Sequence, residues 1–363
     1  MRLVSIANCY PGMEIAKPIF TDAGTVLLGI GVALTERMID GLKGRNVPHL
    51  YIKDKATDDL EIIDDITAEL RIEAAHAIQD TFAQLQSGNN KVLRAVNPLN
   101  ADKLQKVFKD LIYELRTNQR VLSLLTNVFV HDNYIFSHSI NVAIYTLAMA
   151  VKAGYNEKQL NEIAIGGVFH DIGKWRIPLD VLNKKGRLSP EEFDLIKNHP
   201  ADGFELLRNQ PGISLLSAHC AYQHHEKLDG SGYPRGLIGD EIHPYAKMMA
   251  VADVYDALTS SRSYRKAMLP HEAMEVLFAE TNTHFDAGII QTFRQSVASY
   301  PIGVTVRLNS GETAVVAQYL FHSPSRPIVR VIKDPYGQRL TKPYDLDLSK
   351  NLTVMITECD AIM

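Results

Sequence analysis

The chain has 363 residues, 46% of them apolar, with a formal net charge of -4 and a pI near 6.4. That is chain enough for two or three domains around a sizeable core. The weakly acidic balance argues against whole-surface nucleic-acid binding, so no nucleic-acid polymer is expected as a partner. Cys9, Cys220 and Cys359 lie far apart without Cys-x-x-Cys spacing, so neither a disulfide framework nor a thiolate zinc site is expected. The longest mostly apolar run, Ile140 to Val151, is interrupted by Asn141 and Thr146 and is too short to cross a bilayer. The opening Met-Arg-Leu-Val-Ser lacks the apolar core of a signal peptide. No membrane association is expected, and the location expected is cytoplasmic.

Residues 1–62 read as a small α/β unit. Leu3 to Ile6, Ile15 to Phe20, Val26 to Leu28 and His49 to Ile52 have strand character, and Thr35 is placed to cap a helix from Glu36 to Leu42. The acidic stretch Asp54 to Asp65 reads as a linker. Residues 63–130 read as a helical segment packing on, or leading into, the larger helical unit C-terminal to it. Helices are predicted over Ile66 to Gln86 and Ala101 to Leu125, where Leu104, Val107, Leu111, Ile112 and Leu115 recur at three and four.

Residues 131–300 read as mostly helical. Ser189-Pro190-Glu191-Glu192 is a strong helix start, with a serine cap, proline at the first helical position and glutamate three on. The helix it opens is expected to run to about His199. A loop from Leu228 to Asp240 carries Gly230, Gly232, Gly236, Gly239 and Pro234. Residues 301–363 read as a β-rich region, with strands predicted over Val304 to Leu308, Thr313 to Tyr319, Ile328 to Ile332 and Leu352 to Thr357. The fold class expected is mainly α: a helical domain, a small N-terminal α/β unit and a small β-rich C-terminal tail.

Seven side chains in the helical region carry the chemistry. His138 lies on an apolar helix, and His170 and Asp171 follow the apolar segment Leu160 to Val168. His199 stands at a helix end, His224 and His225 are adjacent, and Asp253 sits in Met-Met-Ala-Val-Ala-Asp-Val-Tyr-Asp. Each alone is more often a satisfied core residue. Five imidazoles and two carboxylates on the apolar faces and ends of helices are costly to bury unless something satisfies them together, and a divalent cation does so. All are nitrogen or oxygen donors, which suits iron or manganese, with zinc, nickel or cobalt also compatible. Seven exceed what one tetrahedral ion uses, so two ions are the economical count.

These residues fall in ordered motifs: His138-Ser139, His170-Asp171-x-Gly173-Lys174, His199-Pro200, and His224-His225-Glu226 followed by Asp229-Gly230-x-Gly232-Tyr233-Pro234. Last come Asp253-x-x-Asp256-Ala257-Leu258 and Arg262-x-Tyr264-Arg265. Over about residues 130 to 300 the chain resembles the HD-GYP family, a branch of the HD-domain metal-dependent phosphohydrolases. The resemblance implies an all-helical catalytic domain that hydrolyses the bacterial second messenger cyclic di-GMP to pGpG and then GMP through a metal-bridging hydroxide. It implies that His138, His170, Asp171 and Asp253 hold one ion, and His199, His224 and His225 the second, with Asp171 bridging. Lys174 would bring positive charge to the phosphate. Asp229, Gly232, Tyr233, Pro234, Arg262 and Arg265 would face the substrate, the arginines offering planar forks to phosphate oxygens.

The chain departs from the family pattern twice. Tyr134 stands four residues before His138, where some members carry a carboxylate for a third metal. The usual Arg-Pro-Tyr-Arg run reads Arg262-Ser263-Tyr264-Arg265. Other readings are a catalytically weak cyclic di-GMP-binding signalling module and an HD phosphohydrolase of another cyclic nucleotide. A homodimer or signalling-protein partners are left open.

Overall fold

As a computed structural model, the chain is described except at 22–24, 46, 48, 61–65, 88–100, 119–127, 131–133, 183, 185, 261–267, 321–322, 324 and 360–363; at 68, 82–87, 101–103, 105, 118, 128–130 and 134–136 only the backbone is described. The N-terminal unit holds β1 (Arg2–Ser5), β2 (Ile19–Thr21), β3 (Val26–Leu28), α1 (Glu36–Gly44) and β4 (His49–Ile52). β1 and β4 pair antiparallel, with Arg2 opposite Ile52. Thr35 caps α1 as expected, its Oγ1 accepting from the Met38 N–H at 3.3 Å.

The helical part begins with α2 (Ala68–Ser87) and α3 (Ala101–Asn118); the rest of the stretch predicted to Leu125 lies outside the described residues. A short strand, β5 (Val128–Val130), then pairs parallel with β2, a pairing that apolar periodicity did not reveal. Next come α4 (Tyr134–Lys152), α5 (Glu157–Phe169), α6 (Leu179–Leu182), α7 (Pro190–Lys197), α8 (His199–Leu207) and α9 (Leu215–Gln223). The set closes with α10 (Pro244–Thr259), α11 (Pro270–Ala279) and α12 (Ala287–Ser296). One apolar core joins α2 and α3 to these helices, with Ile78, Val107, Phe108, Ile144, Met149, Val251 and Phe293 among its buried members. α4 and α10 are apolar nearly all round, as helices at the middle of a bundle must be.

The C-terminal sheet has the order β10-β6-β7-β8-β9 and is antiparallel throughout. Its strands are β6 (Thr305–Leu308), β7 (Thr313–Gln318), β8 (Ile328–Lys333), β9 (Arg339–Asp347) and β10 (Ile356–Cys359). β9 escaped the sequence reading because it is largely exposed and polar; it forms a sheet edge, where Pro343 is tolerated. The mainly α fold class with a β-rich C-terminal region therefore holds.

The acidic stretch after residue 53 is not a free linker over its described part. Leu60 is buried against Val315 and Ile332, and Asp59 and Asp345 both pair with Arg330. The N-terminal unit also shares a core with the C-terminal sheet, where Leu3 and Tyr51 pack with Val304, Val316 and Val331. Among the described residues no helix is long and apolar enough to cross a membrane.

Candidate metal centre

α5 ends at Phe169, and the chain tightens into a 3-10 turn from Ile172 to Arg176. That leaves His170 and Asp171 at the junction, both buried. In a 3-10 turn residues three apart eclipse, so Lys174 falls back over Asp171, its Nζ 2.5 Å from Oδ2. Gly173 is required here. A Cβ at this position would lie 1.9 Å from the His199 carbonyl oxygen and 2.6 Å from the Gly203 N. The glycine thus lets the His-Asp junction touch the first turn of α8, which brings His199 to Asp171.

His199 opens α8 and does not end α7, which stops at Lys197. Pro200 explains the difference, since proline fits the first turn of a helix and not its last. His224 caps the C-terminus of α9, with His225 next to it. His138 comes from α4 and Asp253 from α10.

The seven donors meet in one cluster. Asp171 Oδ1 lies 3.3 Å from His199 Nε2 and 3.6 Å from His224 Nε2. Its Oδ2 lies 3.4 Å from His170 Nε2 and 3.6 Å from His138 Nε2. Asp253 Oδ1 stands 3.1 Å from His138 Nε2, and Oδ2 stands 3.9 Å from His225 Nδ1. One carboxylate, Asp171, therefore faces two groups of imidazoles, one group on each oxygen.

The hydrogen bonds on the far side of each ring decide what this cluster can hold. His170, His199 and His224 each place Nδ1 on the carbonyl three residues earlier, at 2.8, 2.6 and 2.9 Å. His138 places Nδ1 2.7 Å from Asp256 Oδ2. Carbonyls and carboxylates only accept, so all four Nδ1 atoms carry a proton and each ring turns Nε2 to the inside of the cluster, as the atom it would offer to a metal. His199 and His224 bring their Nε2 atoms to 3.2 Å. With both Nδ1 atoms protonated, neutral rings set lone pair against lone pair at that distance, which repels. His170 Nε2 and Asp171 Oδ1 are buried without a hydrogen-bond partner among the described residues. A cation between them satisfies all of these atoms at once, and the carbonyl-bound and carboxylate-bound imidazoles have the outer-shell support usual for metal ligands. The cluster fits a divalent metal site.

The electrostatics agree. Burial, with His170 and His199 close by, outweighs the pull of Asp171 and pushes the His224 imidazole down to about 4, so it is neutral at neutral pH. Burial also acts on His138, but its bonds to Asp253 and Asp256 outweigh it and hold the ring near 9. The side of that ring facing Asp253, 3.1 Å away, is the side a cation would share with it. Asp171 is held well below the usual carboxylate range: burial opposes this, and Lys174 and the histidines outweigh it.

The glycine-rich loop folds over one side of the cluster. The buried Glu226 accepts from the backbone N–H groups of Arg235 and Leu237 at 2.8 and 2.9 Å and closes the loop on itself. A Cβ on Gly232 would lie 2.3 Å from Lys227 N, so only glycine fits. Asp229 uses its carboxylate within the turn, accepting from the Ser231 N–H and hydroxyl. The Tyr233 ring lies 4.8 Å from the His225 ring, and its N–H donates to the His225 carbonyl. Burial pushes its phenol up. Pro234 is exposed at the loop's rim. Arg262 and Arg265 lie outside the described residues, and of Tyr134 only the backbone at the start of α4 is described.

Sequence reasoning assigned no role to three residues that shape the site. They are Asp256, which orients His138; Asn141, whose amide donates to Asp256 at 2.8 Å; and Glu226. The spacing Asp253-x-x-Asp256 on an apolar helix was the available signal, since two buried carboxylates one turn apart both need partners.

Known proteins bear on this geometry. The HD domain profile matches residues 117–289, and a "KOW domain associated with HD domain" profile matches residues 305–362. A Thermotoga maritima protein named cyclic di-GMP phosphodiesterase is 30% identical over 293 residues, covering 73% of this chain and 78% of its own length. The chain belongs to the HD-GYP family. The Pseudomonas aeruginosa protein named cyclic di-GMP phosphodiesterase PA4108 is 38% identical over 217 residues, 60% of this HD-GYP chain. The alignment spans about half of that relative, 52% of its length. A solved Bdellovibrio bacteriovorus structure described as an HDG"Y"P protein superposes with a TM-score of 0.53 at 20% identity. It covers 80% of this chain and 97% of that one, and supports the HD-GYP fold alone.

Proposed function

We propose that this chain is a two-metal phosphodiesterase that hydrolyses cyclic di-GMP to pGpG and then, more slowly, to GMP. The observation that carries the reading is the Asp171 carboxylate set between two groups of inward-facing imidazoles. The names of the Thermotoga and Pseudomonas relatives supply the substrate. His138, His170, Asp171 and Asp253 would hold one divalent ion, and His199, His224 and His225 the other, with Asp171 shared; iron or manganese suits the donors. Two such ions supply a water of lowered pKa and positive charge for the attacked phosphate.

The chain's own residues do the rest. Water oxygen bonds to phosphorus, the P–O3′ bond breaks, and the 3′ oxygen takes up a proton to give the linear dinucleotide with a 5′ phosphate. Lys174 is partly exposed and bonded to Asp171, so it is placed to donate to a phosphoryl oxygen as charge builds there. Tyr233 borders the cluster on the open side, where a guanine or a ribose-phosphate would lie, and Arg262 would add a fork for phosphate oxygens.

Replacing Tyr233 or Arg262 with alanine is expected to lower turnover about tenfold or more while metal content stays at the wild-type level. Elemental analysis beside a rate assay checks this, and metal loss in either variant would show that the loop supports the ions and not the substrate. A time course on cyclic di-GMP, resolved by chromatography, is expected to show pGpG first and GMP later. Tyr134 stands where a third-metal carboxylate would be, so the extra phosphate of pGpG is less well neutralised and rebinds weakly. GMP from the outset without pGpG would contradict that order. Cyclic GMP-AMP run in parallel tests the substrate: faster hydrolysis of that ring would overturn the assignment to cyclic di-GMP.

A further inference from the structure

α2 precedes the catalytic helices in the chain, yet it reaches towards the metal centre with a charged side chain. Arg71 is 9% exposed, between Leu70 and Ala74 of the apolar core. Its Nη1 donates to Asn141 Oδ1 at 3.4 Å. Asn141 Nδ2 donates to Asp256 Oδ1 at 2.8 Å, and Asp256 Oδ2 accepts from His138 Nδ1 at 2.7 Å. His138 turns its Nε2 to Asp253 and Asp171. Four side chains from α2, α4 and α10 thus form one line from a buried guanidinium to a metal-facing nitrogen.

The line has a fixed direction. Arginine only donates and an ionised aspartate only accepts, whereas an asparagine amide can present either end. Arg71 draws the carbonyl of Asn141, which leaves the NH₂ for Asp256. With Oδ1 so engaged, Asp256 keeps Oδ2 for the His138 Nδ1–H, which leaves Nε2 as the nitrogen turned to the metal side. The start of α2 is itself fastened. The Thr67 N–H and hydroxyl both donate to the Glu114 carboxylate of α3 at 3.2 Å, and the Arg71 N–H donates to the Thr67 carbonyl at 3.1 Å.

We propose that Arg71 is a positioning residue for the His138 side of the metal centre, acting through Asn141 and Asp256. The α2–α3 hairpin thereby sets how tightly one of the two ions is held. The inference rests on the two-metal reading above.

The test uses the full chain, stripped of metal and titrated with Mn²⁺ by calorimetry without oxygen, for wild type, Arg71→Met, Arg71→Lys, Asn141→Leu and the Arg71→Met/Asn141→Leu double variant. Arg71→Met is expected to weaken one of two binding steps about tenfold, in line with other outer-shell changes, and to leave the second step and the melting temperature near wild type. Arg71→Lys, which keeps a donor, is expected to recover part of the loss. The double variant is expected to be no worse than Asn141→Leu alone, because the two residues act in series. Two wild-type binding steps in Arg71→Met, or losses that add in the double variant, would overturn the inference while leaving the two-metal reading intact. A wild-type chain that binds no Mn²⁺ would instead overturn the reading beneath it. Should Arg71→Met fail to fold, the comparison passes to Arg71→Lys and Asn141→Leu: both are expected to weaken the same step, Asn141→Leu more, and wild-type binding in Asn141→Leu would overturn the relay.

Discussion

Replacing Asp171 with alanine is expected to cut cyclic di-GMP turnover by about three orders of magnitude or more, a loss of about 4 kcal/mol in transition-state stabilisation, and to leave the protein with little bound metal. The reason is its position. One carboxylate faces His199 and His224 on one oxygen and His170 and His138 on the other. On the proposed two-metal reading its removal takes an anionic ligand from both ions at once, and it leaves the Lys174 ammonium without the Asp171 carboxylate. Asp171→Asn keeps the volume but not the charge, so it is expected to behave nearly as badly. Rate assays and elemental analysis on protein purified without oxygen or chelators check both variants. Wild-type activity in Asp171→Ala would show that Asp171 does not bridge the ions.

Gly173→Ala is expected to be the most damaging glycine-to-alanine change among the described glycines. Its Cβ would meet the His199 carbonyl oxygen at 1.9 Å and the Gly203 N at 2.6 Å, both backbone atoms that cannot swing aside. The 3-10 turn and the first turn of α8 must separate, at a cost of about 3 kcal/mol or more, and His199 leaves Asp171 as they do. A lowered melting temperature together with loss of one bound ion is the expected result. A variant with wild-type melting and metal content would mean that the two turns are not packed as described.

Much of this was legible in the sequence, for a physical reason. Histidines and aspartates on apolar helices are expensive to bury alone, so their accumulation over one helical region pointed to a cation before any coordinates did. The sequence reading named Asp253 and gave Asp256 no role; residues three apart share a helix face, and only the structure sets Asp253 against His138 Nε2 and Asp256 against His138 Nδ1. Nor could the sequence distinguish the end of one helix from the start of the next at His199, where Lys197 to Pro200 turns the chain without a glycine. The polar edge strand β9 and the short strand β5 were missed because neither shows an alternating apolar pattern with strong boundaries. Leu60 was lost among acidic neighbours, although that one apolar side chain docks the stretch on the C-terminal sheet. Arg71 carried no signal, since a lone arginine in a helix reads as solvated until its burial is seen.

The most direct test joins metal count to chemistry. Metal-free protein is titrated with Mn²⁺ or Fe²⁺ without oxygen while cyclic di-GMP hydrolysis is followed at each addition. Little hydrolysis is expected up to about one equivalent, then a steep rise as the second ion binds, because the proposal has Asp171 serve two ions that act together. Full activity at one equivalent, or two ions bound with no hydrolysis of cyclic di-GMP, would contradict a two-metal phosphodiesterase.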